Sequence, residues 1–86
     1  MSSIKKVSIF LMLIGDKKGQ SIIELMDNSE IKAVVSEFRR ITEISQEIRE
    51  SVWAEFSELG YEVNMKPSDV LMIMRLLFKG GKIGGS

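Results

Sequence analysis

Two stretches of this sequence, Val7–Ile14 and Val70–Phe78, are almost unbroken runs of apolar side chains. In a chain of 86 residues they leave few folds open. A helix that is apolar all round must be covered all round. A chain this short can wrap itself around one such helix but hardly around two. A domain of this size buries roughly 60–65% of the surface its unfolded form exposes, and a core of this size rarely supplies more than about 3–5 kcal/mol net. One run can therefore be central, while the surplus apolar surface of the other is left for a partner. Such a partner would stabilise the fold as well as use it.

Neither run can cross a bilayer, which takes about 20 apolar residues. Lys5 and Lys6 ahead of Val7–Ile14 loosely imitate a secretory signal. Gly15-Asp16-Lys17-Lys18 follows instead of a small-residue cleavage site, so the run reads as a buried helix.

The pattern predicts an all-α domain, a compact bundle of about five short helices over residues 1–79, with a flexible Gly-rich tail or linker over 80–86. Helix 1 is expected over about Ser3–Ile14, ended by Gly15. A strand is the competing reading of so continuous a run. Asp16 is the expected N-cap of helix 2, about Lys17–Met26, with Ile22, Ile23, Leu25 and Met26 on its buried side. Gly19 inside it costs about 1 kcal/mol against alanine, a cost that close packing against a neighbour would explain. Asp27 and Glu30 have the spacing of a capping box for helix 3, about Glu30–Ile41, whose apolar stripe is Ile31, Val34, Val35, Phe38 and Ile41. Ser45 caps helix 4, about Gln46–Leu59, with the stripe Ile48, Val52, Phe56 and Leu59, and Gly60 ends it. Pro67 suits the first turn of helix 5, expected to run to Phe78 or Lys79.

The residues that carry most enzyme chemistry are missing. There is no cysteine and no histidine, which removes thiolates, the commonest general base and the commonest metal ligand. No phosphate-binding glycine loop precedes a helix, and the acids lack the spacing of a calcium loop. The chain is therefore read as a non-enzyme without a cofactor or a metal. Lys plus Arg equals Asp plus Glu, 12 against 12, which argues against nucleic acid. The charge is unevenly placed: six glutamates and one arginine lie between Glu43 and Glu62, and four lysines and one aspartate between Met1 and Lys18. Solvated helix faces and charge steering of a partner both fit that segregation.

Helical-wheel positions, at about 100° per residue, locate the surplus apolar surface. With Val7, Phe10, Leu11 and Ile14 facing inward, Ile9 and Leu13 fall outside and Met12 at the border. With Val70, Ile73, Met74 and Leu77 inward, Met72 falls on the far side of helix 5 and Leu76 on its edge. Phe38 lies on the helix 3 stripe, where it serves either the core or a groove. Ile9, Met12, Leu13, Phe38, Met72 and Leu76 are the candidate partner-binding residues.

Over residues 4–79 the chain resembles the N-terminal domain of the flagellar motor switch protein FliG. The resemblance is carried by Lys6-Val7-Ser8-Ile9-Phe10-Leu11-Met12-Leu13-Ile14-Gly15, by Ile44-Ser45 leading into Val52-Trp53-Ala54-Glu55-Phe56, and by Asp69-Val70-Leu71. The order and spacing of these stretches carry it more than any one of them. The resemblance implies a helical scaffold module of the switch (C ring) at the cytoplasmic face of the inner membrane. It implies docking to the cytoplasmic C-terminal tail of the membrane-ring protein FliF through an apolar groove, and contact with neighbouring FliG-like subunits in a ring. It does not reach the middle and torque-bearing domains of a switch protein, and the Gly60–Lys66 loop is shorter than the family pattern. An alternative is the related helical domain of MgtE-type magnesium transporters, in which the acidic Glu43–Glu62 segment would sense the ion.

Overall fold

The computed structural model describes residues 2–83, with side chains described through residue 78. Among the described residues there are five helices and no strand: α1 Ser3–Leu13, α2 Asp16–Ile23, α3 Asn28–Arg40, α4 Gln46–Glu58 and α5 Pro67–Ile83. The helical reading of the first apolar run holds, and α1 is the centre of the bundle. Each of the other four helices packs against it, and α2 also packs against α5.

Local chemistry sets most helix ends. The Ser2 side chain accepts from the Lys5 amide at the start of α1. The capping box of α3 forms as expected: Asp27 accepts from the Glu30 amide at 2.8 Å, and the Glu30 carboxylate accepts from the Asp27 amide at 2.9 Å. Ser45 caps α4 through the Ile48 amide. Gly15 and Gly60 turn the chain with φ of 93° and 107°, a region in which a Cβ is strained.

Three local expectations change. Gly15, not Asp16, is the N-cap residue of α2, and Asp16 is its first residue, beside the positive end of the helix dipole. α2 also stops at Ile23, where tighter bonds from Leu25 to Ile22 and from Met26 to Ile23 close a final turn. That turn rotates Leu25 to the surface while Met26 enters the core. α5 continues through Gly80 and Gly81 to Ile83, past its expected end. A helix already nucleated adds a backbone hydrogen bond for each further residue, which opposes the poor propensity of glycine. The rest of the expected Gly-rich tail, residues 84–86, lies outside the described residues.

The core answers which apolar run is central. In α1 the consecutive residues Val7, Ser8, Ile9, Phe10 and Leu11 are all buried, because neighbours stand around the whole helix. Ser8 is tolerated there because its hydroxyl donates to the Ile4 carbonyl at 2.8 Å. Phe10 stacks on Phe56, centroids 3.8 Å apart, meets Tyr61 edge-on and lies tilted against Trp53. α5 buries only one side: Val70, Leu71, Ile73 and Met74 enter the core, while Met72 and Leu76 face outward.

Two ion pairs tie the layers together among the described residues. Lys6 of α1 meets Glu55 of α4 at 3.0 Å. Arg75 of α5 makes a two-pronged contact with Glu30 at the start of α3, 2.9 and 3.0 Å. The Arg75 guanidinium holds the Glu30 carboxyl below its ordinary value of about 4.5, and the Asp27 amide adds to this. Asp27 is lowered by the Glu30 amide and then by the Ser29 hydroxyl. Both groups bind protons more weakly folded than unfolded. Their contribution to stability is therefore present above the ordinary carboxylate range and is lost as pH falls through it. Asp27 is exposed and the Glu30–Arg75 pair is only part-buried, so the effect is modest. Urea midpoints of the wild type should fall below pH of about 4.5. Part of that slope should be missing in Glu30→Gln, which should also be slightly less stable at neutral pH. An identical acid slope in the variant would contradict the assignment.

Candidate functional site

An open groove of ≈ 480 Å³ lies where the end of α1, the body of α2 and the second half of α3 meet. Its apolar wall is Leu11, Met12, Ile23 and Phe38, and Asp16 and Gln20 stand on the rim. The groove is shaped by Gly19. A Cβ at that position would stand 3.2 Å from the Leu11 carbonyl oxygen, so glycine lets α2 lie close against the α1 backbone. The helix cost of Gly19 thus coincides with the close packing expected from the sequence. Met12 is 42% exposed at the groove, and Phe38 is half-buried, one side on the core and one in the wall.

The six sequence-derived candidates do not share one surface. Met12 and Phe38 converge in the groove. Leu13 lines a separate dent with Trp53, Ala54, Arg49 and Glu50 of α4. Met72 and Leu76, 64% and 60% exposed, lie on the outer face of α5. Ile9 belongs to none of these surfaces, because it is 0% exposed. The wheel placed it outside by assuming that α1 has one buried side, whereas α1 is enclosed by four helices. The sequence reading missed Leu11, Gly19 and Ile23 as groove residues. The helical glycine was the one signal that could have drawn attention to them.

Among the described residues no three acidic side chains come together as a metal site. Glu47, Glu50 and Glu58 lie instead exposed along α4, so the ion-sensing alternative gains no geometry from the fold.

An enclosed apolar helix closing on Ile14-Gly15, the pair α2 and α3, α4 entered through Ile44-Ser45 and carrying Glu55-Phe56, and a last helix begun near Asp69 follow the order of parts seen in the sequence resemblance. Over residues 1–79 the sequence matches the family model of the FliG N-terminal domain. The chain belongs to the FliG N-terminal domain family. No curated protein and no solved structure gives a significant match. Membership makes this an all-α domain of the flagellar motor switch type, a family whose role in the motor is structural and rests on protein contacts. Among the described residues of this FliG-type domain, no helix is long and apolar enough to cross a membrane.

Proposed function

We propose that this FliG-type domain is a non-enzymatic docking module of the motor switch, working at the cytoplasmic face of the inner membrane. Its groove between α1, α2 and α3 takes an amphipathic helix from the C-terminal tail of the membrane-ring protein FliF. Like copies of the domain stand beside one another around the switch.

The observation that carries this reading is the open apolar groove with Met12 exposed in it. Amphipathic helices bind by laying an apolar face into such a groove, and methionine adapts to the side chains it meets. The outer α5 residues Met72 and Leu76 offer a second apolar contact for a tail long enough to continue past the groove.

The test is titration of the domain with a FliF tail peptide by calorimetry. Met12→Glu should weaken binding at least about tenfold, roughly 1.4 kcal/mol, with an unchanged far-UV spectrum because Met12 is already exposed to water. Met72→Glu reports separately on the α5 contact. Wild-type affinity in Met12→Glu, with the fold intact, would remove the groove from the interface.

A further inference from the structure

α3 and α4 each pack on α1 and turn one face to solvent. On α3, Lys32, Ser36, Arg39 and Arg40 are exposed and fall on that face, with Val35 at its edge. The one acid in the second half of the helix, Glu37, lies toward the buried side and is half-buried. On α4, Glu47, Glu50, Ala54 and Glu58 are exposed at helical spacing along the outward face; Glu50 and Ala54 also border the dent with Leu13, and Arg49 lies on the dent's other side, nearer the buried stripe of Val52 and Phe56. Each stripe has a small residue at its middle, Ser36 or Ala54, flanked by charges of one sign.

The two stripes are opposite in sign, and the acidic one is long enough to span the basic one. At the rise of a helix, Lys32 to Arg40 covers about 12 Å and Glu47 to Glu58 about 16 Å. Neither ion pair of the described residues uses these charges, since Lys6 meets Glu55 and Arg75 meets Glu30. The acidic Glu43–Glu62 segment thus presents one acidic face on α4, and α3 presents a basic one; among the described residues neither is used in an ion pair.

We propose that the basic face of α3 in one copy of this chain docks on the acidic face of α4 in another. The inference deepens the reading that like copies stand side by side, and rests on it. Small residues at the centre let the helices approach, and the flanking charges set register and partner, as charged flanks do between paired helices. The contact joins two different faces. It can therefore repeat from copy to copy, and it need not close on itself in a pair.

The experiment is sedimentation of the full chain up to millimolar concentration, at low and high salt. The wild type should associate, and salt should weaken the association because the charges are solvated. Arg39→Glu with Arg40→Glu should weaken it at least about tenfold, and so should Glu47→Lys with Glu50→Lys. All four residues are exposed, so both variants should keep the wild-type far-UV spectrum. A mixture of the two variants should associate again, because the acidic α3 of one now meets the basic α4 of the other. A wild type that stays monomeric at low salt overturns both this contact and the side-by-side reading. Association that ignores both reversals overturns these faces alone. Tail-peptide titration of the same wild-type chain tests the groove independently, so failure of that reading is seen separately.

Discussion

Ile9→Glu should leave the chain largely unfolded at neutral pH. Ile9 is fully buried in the centre of the bundle, among residues from α1 and its neighbours. A carboxylate there has no cationic partner and no water, and an unpaired buried charge costs several kcal/mol. A core of this size rarely supplies more than about 3–5 kcal/mol net. Far-UV circular dichroism at neutral pH gives the result directly. The control Ile9→Val removes one methylene and should cost only about 0.5–1.5 kcal/mol, leaving a cooperative transition. A helical spectrum with weakened partner binding is what the wheel placement of Ile9 would give, and it would show that α1 is not enclosed.

Phe10→Ala should be nearly as severe, costing about 3–5 kcal/mol. Phe10 is fully buried and joins three aromatic rings from outside α1: Phe56 at 3.8 Å, Tyr61 at 4.8 Å and Trp53 at 5.6 Å. Its loss opens a cavity at the junction of α1, α4 and the loop after α4. Urea titration followed by the fluorescence of Trp53, the single tryptophan, reads out that junction. Phe10→Leu keeps most of the volume and should lose clearly less. Equal midpoints for Phe10→Ala and the wild type would mean that the aromatic cluster does not hold α4 in place.

These two substitutions stand next to each other in sequence and destabilise by different routes, one by charge and one by volume. Both depend on α1 being enclosed. The groove variants differ in kind: Met12 lies on the same helix, two residues beyond Phe10, yet its side chain is already in water. The change from core to site comes within three residues, at the end of α1 where the groove opens and Gly15 turns the chain.

How far the site was legible depends on the residue. Periodicity singled out Met12, at the border of the α1 stripe, and Phe38, on the α3 stripe, and the fold brings both to the candidate groove. Leu11 and Ile23 were hidden, because the wheel assigns a residue to core or surface and a groove wall is both. Leu13, Met72 and Leu76 were rightly placed away from the fully buried core, but on other surfaces than the groove. No wheel relates the face of one helix to the face of another.

What the sequence determined by itself were the features that local chemistry controls. The Asp27–Glu30 capping box, the Ser45 cap and the glycines at 15 and 60 set where helices begin and end, since each acts through bonds within a few residues. The order of these parts also carried the family. Only the tertiary structure decided that α1 is the enclosed helix and α5 the one with a free side, because burial is a property of the neighbours and not of the run of side chains. It also decided that Gly19 serves to bring α2 onto α1. In both cases the deciding contact joins residues that periodicity within one helix cannot relate.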